Sequence, residues 1–175
     1  LKVALCLYGY YNNRVDPSSG DKGYDYIKKH ILDKHQTDIF YHSWEPKLKN
    51  FLSEKFQPLD FKCEPQSDFT KIAIENGINQ AEVDKGFNRN FTIYKQCTVG
   101  SSLSFFYSRS EAIGLAVNHA NSEKFQYDCI ITARFDLGQR STWHRGYNVS
   151  NIEYNPNNDM SFIYSAMWRQ LNAGM

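Results

Sequence analysis

Asp136 stands just past the apolar run Tyr127-Asp128-Cys129-Ile130-Ile131-Thr132, with Arg134 two residues before it. A carboxylate at the end of a buried strand is fixed in place yet reachable, and its hard oxygens suit Mg2+ or Mn2+. A divalent cation of that kind steadies the charge of a departing diphosphate. Alternation along an extended segment puts Arg134 and Asp136 on one face. The guanidinium is a fork for phosphate. It is also a ready partner for Asp136, so a structural ion pair or a turn cap competes evenly with the metal role. Gly9-Tyr10-Tyr11 closes the first apolar run. The glycine permits a tight turn, and Tyr10 offers a ring to a nucleobase. Arg14, in the loop that follows, is a candidate phosphate contact, against the more ordinary reading of a solvated arginine. His42 and Trp44 end the second apolar run; one ring lines a pocket, or both pack inside. Arg109 reaches either a diphosphate or a surface carboxylate near Glu111. The residues assign no catalytic base.

These groups need a scaffold. Val3-Ala4-Leu5-Cys6-Leu7-Tyr8 is a continuous apolar run of the sort buried on both faces of a parallel sheet. Tyr24, Ile27, Ile31, Leu32 and His35 recur at helical spacing. Asp38-Ile39-Phe40-Tyr41-His42 reads as a second strand. Glu45-Pro46 opens a helix to about Lys55, and 59–63 is a third strand. Strand-helix alternation of this kind predicts an α/β fold with right-handed crossovers. Ligands then bind at the strands' carboxyl ends, so the loops at 9–21, 43–45 and 135–138 share one edge. Residues 64–90 are polar and poorly periodic. A lid and a disordered excursion fit them equally, with a short helix over 79–85. A helix is clear over 101–120, with Leu103, Phe106, Tyr107, Ser110, Ile113, Gly114 and Val117 as its stripe and the small Ser110 and Gly114 as the point of close approach. The run 127–132 is a further buried strand. A last strand over 160–167 precedes the end of the sequence, which stops in mid-pattern.

The 175 residues suit one domain. Tyr and Phe stand at 12 each, a surplus that serves a strand-rich core and also ring stacking. Net charge is +1 and no Lys/Arg run resembles a nucleic-acid patch. No stretch approaches the roughly 18 apolar residues of a membrane span. The chain opens straight into a strand pattern without a signal segment, and its lack of an initiator Met points to a trimmed start. Cys6, Cys63, Cys97 and Cys129 form no CxxC pair and read as reduced thiols, which favours a cytoplasmic location. The sequons at Asn90 and Asn148 carry weight only in a secreted protein. GxGxxG, Walker A and GxSxG motifs are absent, and the five histidines show no metal-ligand spacing.

Three segments together resemble a known family. They are Lys2 to Gly9 with Arg14 downstream, Asp38-Ile39-Phe40-Tyr41-His42-Ser43-Trp44, and Tyr127 to Leu137. They are similar to the opening strand, the D-[IV]-F-x-H-[ST]-W strand and the YD-x-[IV]-I-x-x-R-x-D-L strand of GT-A-type glycosyltransferases of viruses, chlorella viruses among them, and bacteria. The resemblance implies a Rossmann-like GT-A fold with a mostly parallel sheet. It implies a UDP- or GDP-sugar donor, UDP favoured, a hexosyl transfer to a glycan or protein hydroxyl, and a Mn2+ or Mg2+ cofactor. The location becomes the host cytoplasm if the gene is viral. Residues 1–138 become the nucleotide-sugar part and 139–175 the start of an acceptor-side part cut short. Asp136 corresponds to the metal-binding DxD element of that family, and this sequence departs from DxD in carrying Arg134 at the first acidic position. The resemblance marks Gly9, Tyr10, Arg14, Trp44, Arg109, Arg134 and Asp136 as candidate donor contacts. Two other readings stay open: a nucleotidyltransferase-like α/β enzyme using the same sheet edge, and a non-catalytic carbohydrate-binding module.

Overall fold

The structure, a computed structural model, describes residues 2–12, 17–81 and 98–136. Four strands form an all-parallel sheet: β1 (Lys2–Gly9), β2 (Gln36–Ser43), β3 (Asp60–Cys63) and β4 (Cys129–Arg134), in the order β3-β2-β1-β4. Parallel neighbours require crossovers, and helices supply them. Helix α1 (Ser19–Ile27), continued by a π-helical turn at Lys28–Leu32, joins β1 to β2. A 3-10 turn at Pro46–Leu48 leads into α2 (Lys49–Phe56), which joins β2 to β3. After β3 come α3 (Phe69–Glu75) and the long α4 (Val99–Ser122), which returns the chain to β4. The expected α/β class with a parallel, helix-flanked sheet is what the chain adopts.

Alternation along β1 divides the core. Leu5 and Leu7 point to one face and pack with Ile27, Ile31, Leu52, Phe56, Tyr11 and Phe135 beneath α1 and α2. Ala4, Cys6 and Tyr8 point to the other and pack with Phe40 and with Ala112 and Ala116 of α4. Residues Val3 to Leu7 are wholly buried, as the unbroken apolar run predicts for a strand covered on both faces. Burial pushes the Cys6 thiol up to about 12, so it behaves as a small hydrophobe.

Three expectations need correction. The buried face of α4 is not the large apolar stripe. Gly100, Ser104, Ser108, Ala112, Ala116 and Ala120 are buried, an every-fourth-residue ridge of small side chains, while Phe106 is 59% exposed. A Cβ built on Gly114 meets nothing within 4 Å, so Gly114 is not the point of close approach. The sheet surface under α4 already carries Tyr8, Phe40 and His42; the helix can lie on those rings only by presenting small residues, and its larger side chains flank the contact. Strand β4 is not buried on both faces: Ile130 is exposed, and among the described residues β4 is the edge of the sheet, paired with β1 alone. The polar segment after β3 contains a helix at 69–75 that its poor periodicity did not announce; of the 79–85 interval expected to be helical, Gln80 and Ala81 are helical and 82–85 lie outside the described residues. Asp68 caps α3 by accepting from the Lys71 N–H at 3.0 Å, and Phe69 and Ala73 are its two buried anchors. The expected strand over 160–167 also lies outside the described residues. Among the described residues no helix is long and apolar enough to cross a membrane.

Candidate functional site

The strand order reverses direction between β1 and β4: β2 and β3 lie to one side of β1, β4 to the other. The carboxyl ends of β1 and β4 therefore border the crevice where open α/β sheets take ligands. Register sharpens this. Lys62, His42, Tyr8 and Arg134 are successive Cα partners across the four strands. They make one row at the carboxyl edge, on the face that α4 covers. The helix crosses above the row. Phe105 sits on its β1 flank, edge-to-face with Tyr8 at 5.4 Å, and Tyr107 sits on its β3 flank, bonded to Lys62.

The β1–β4 half of the row is cationic. The Arg134 guanidinium donates through Nε to Asp136 Oδ1 at 2.8 Å and through Nη2 to Oδ2 at 2.9 Å, a two-pronged pair. Of the two readings open for Arg134 and Asp136, this geometry is the ion pair. Arg134 is 52% exposed and Asp136 only 13%, so the carboxylate lies inside and the guanidinium points outward. Arg109 belongs to the same group. Arg109 follows Ser108, whose hydroxyl oxygen accepts the Gly9 N–H at 3.1 Å, so α4 carries it over the end of β1. Burial raises the pKa of the Tyr8 hydroxyl, the Arg109 and Arg134 charges act to lower it and Asp136 acts to raise it. Glu111, the carboxylate that competed for Arg109, is instead bonded to Lys62 at 2.8 Å. Among the described residues, two guanidiniums stand against one carboxylate at this end of the row.

The β2–β3 half is a polar network, anchored on the buried His42 and Ser108 and reaching the part-exposed Glu64 and Lys62, that the sequence did not single out. His42 Nε2 lies 3.0 Å from Glu64 Oε1 and His42 Nδ1 lies 2.7 Å from Ser108 Oγ. An ionised carboxylate only accepts, so Nε2 carries the proton. Nδ1 of the neutral ring must then accept, and the Ser108 hydroxyl donates to it. The same Ser108 oxygen accepts the Gly9 N–H at 3.1 Å. Burial lowers the His42 pKa against the opposing pull of Glu64, which keeps the ring neutral. Burial alone raises Glu64, but hydrogen bonds from His42, Tyr107 and Lys62 outweigh it and leave its carboxyl below the usual range. Lys62 spans Glu64, Tyr107 and Glu111, and its pKa is raised, first by Glu111. Serine, histidine and glutamate in a row invite comparison with a hydrolytic triad, but Ser108 is 1% exposed and its oxygen is engaged on both sides. Its role is to hold Gly9. The one signal in the sequence was His42 itself, since a histidine inside an apolar strand must find partners.

Gly9 has φ +96°, a conformation that favours glycine. Its carbonyl accepts from the Trp44 N–H at 3.3 Å, so both of its backbone groups are tied down. A Cβ there would meet nothing within 4 Å, so Gly9→Ala is expected to lose only backbone energy, about 1–2 kcal/mol, measured as a lower urea midpoint. Gly9→Asn should lose less, since Asn tolerates positive φ. Tyr10 is exposed, and its hydroxyl donates to Gln66 Oε1 at 2.6 Å, with Gln66 in turn donating to Ser104 at 2.7 Å. Trp44 is 5% exposed, stacked on Tyr107 and edge-on to His42, so it shapes the edge from within the packing. Arg14 lies outside the described residues.

The described residues do not suit a divalent cation. No group of three or more His, Cys, Asp or Glu side chains is arranged to hold one. Both oxygens of Asp136 are occupied by a guanidinium. Compared with protein-family models, with curated proteins and with solved structures, the chain finds no match.

Proposed function

We propose that the β1–β4 crevice binds the diphosphate of a nucleotide-sugar, and that the chain is the donor-binding part of a glycosyltransferase of GT-A type. The observation that carries this reading is Arg134, paired in register with Tyr8 and aimed by Asp136 at the carboxyl end of the sheet, beside the turn at Gly9 that Ser108, the neighbour of Arg109 on α4, holds. Transfer of a sugar leaves a nucleoside diphosphate whose negative charge grows as the glycosidic bond breaks; preset guanidiniums are suited to that charge. The strand order, with α1 and α2 on one face and α4 on the other, supports a Rossmann-like arrangement. A UDP-sugar is the first choice of donor, a GDP-sugar the second, and a glycan or protein hydroxyl the acceptor.

A panel of nucleotide-sugars in a thermal-shift measurement tests this. A ligand at about one hundred times its Kd stabilises by about 2.7 kcal/mol, which for a chain of this size raises Tm by about 5–10 °C. Arg134→Gln and Arg109→Gln should each remove most of that shift. Absence of a shift with every UDP- and GDP-sugar would end the proposal. Release of pyrophosphate from a nucleoside triphosphate and a sugar phosphate would assign the crevice to a nucleotidyltransferase instead.

A further inference from the structure

We infer that the crevice neutralises its diphosphate with Arg134 and Arg109 and without a divalent cation, Asp136 serving as the clamp that aims Arg134. The inference rests on the donor-binding reading and concerns how that site handles charge. Asp136 takes the Nε–H and one Nη2–H of Arg134. A guanidinium has five N–H donors, so three remain, on the Nη1 and Nη2 edge directed away from the carboxylate. That edge belongs to the exposed part of the side chain. It presents the two-pronged geometry that phosphate oxygens accept. Fixing a flexible arginine in advance also lowers the loss of freedom on binding.

A cation in the same place meets the opposite situation. Mg2+ or Mn2+ requires carboxylate oxygens in direct contact. At Asp136 both oxygens already face a guanidinium at 2.8–2.9 Å. A divalent ion there would displace Arg134 and then sit beside it. Arg134 then takes the place of the ion as the diphosphate's counter-charge. Asp136 is then a positioning residue.

The test is calorimetric titration of the full chain with UDP and with GDP, once in EDTA and once in Mn2+. The expected result is a Kd that agrees within about twofold between the two conditions for the nucleotide that binds. Arg134→Gln and Arg109→Gln should each weaken binding about tenfold or more in EDTA, with Arg134→Lys in between because it keeps the charge and loses the fork. Asp136→Asn should weaken binding by a smaller factor, the same with and without Mn2+. A metal ligand at this position behaves otherwise: binding tightens at least tenfold in Mn2+, and Asp136→Asn removes only that gain. This second pattern overturns the inference and leaves the donor-binding reading standing. Failure of both nucleotides to bind in either condition, by protein that still unfolds cooperatively, overturns both.

Discussion

Gly23→Ala is expected to destabilise the fold by about 3 kcal/mol, the upper end of overpacking penalties, and to lower Tm by about 6–12 °C. Helix propensity alone argues the other way, because alanine in a helix interior is better than glycine by about 1 kcal/mol. Sterics decide the sign. A Cβ at Gly23 would stand 1.9 Å from the Phe135 carbonyl oxygen and 2.9 Å from the Asp136 Cα. Both are backbone atoms just past the end of β4, and neither can rotate away. Either α1 lifts off the sheet, uncovering Ile27 and Phe135 from the core they share, or the turn carrying Asp136 moves. The second response also disturbs the Arg134 clamp, so nucleotide affinity should fall together with stability. Gly20→Ala is the useful companion. Its Cβ would meet the Tyr11 ring at 2.6 Å, a side chain whose ring is held by Phe51, Phe56 and Phe135. The expected loss there is smaller, because a ring can shift where a carbonyl cannot. Urea unfolding of the two variants ranks them, and an unchanged midpoint for Gly23→Ala would contradict the close approach of α1 to β4.

The sheet was legible in the sequence where burial leaves a local mark. A run such as Val3 to Tyr8, apolar at every position, has few alternatives to a central parallel strand, and β2 follows from the same signal. The charged pair was half legible: alternation places Arg134 and Asp136 on one face, but only geometry distinguishes a guanidinium fork on the carboxylate from two independent ligands. What could not be read is whatever depends on register between distant segments. Lys62, His42, Tyr8 and Arg134 are spread over four strands and become a row only through pairing. The face of α4 was misread for a related reason. Hydrophobic periodicity follows the largest side chains, whereas a helix lying on a surface of tyrosine, phenylalanine and histidine is selected for small ones. Helix α3 escaped notice because seven residues with two buried anchors give too short a period to detect. The pairing of Glu111 with Lys62, which leaves Arg109 to the crevice, is likewise a tertiary fact.

His42→Gln is expected to cost about 2–3 kcal/mol near neutral pH, the range for leaving buried hydrogen-bonding groups without proper partners. It should also flatten the dependence of stability on pH. The groups that face the imidazole are Ser108 from α4, Glu64 and Lys62 from the β3 segment and, at longer range, Glu111. Burial, the largest influence, holds the folded-state pKa below the ordinary value of 6.5. The unfolded chain therefore takes up a proton at a higher pH than the folded chain does. Stability is fully present above pH 6.5 and is lost as pH falls from there toward the folded pKa. Glu64 has the same sign in a lower window: its folded pKa lies below 4.5, so its contribution is present above that value and is lost on further acidification. Protonating His42 has a structural consequence as well. Nδ1 becomes a donor, the Ser108 hydroxyl loses its acceptor, and the oxygen that receives the Gly9 N–H must reorganise. The turn at the mouth of the crevice is thereby tied to the state of a buried ring. Urea midpoints followed from pH 8 to pH 5 should decline for the wild-type chain and decline less for His42→Gln. Ser108→Ala, which removes the link to Gly9 and leaves the histidine with Glu64, should retain the decline while lowering the midpoint throughout. Equal slopes for wild type and His42→Gln would show that some other group controls the acid limb.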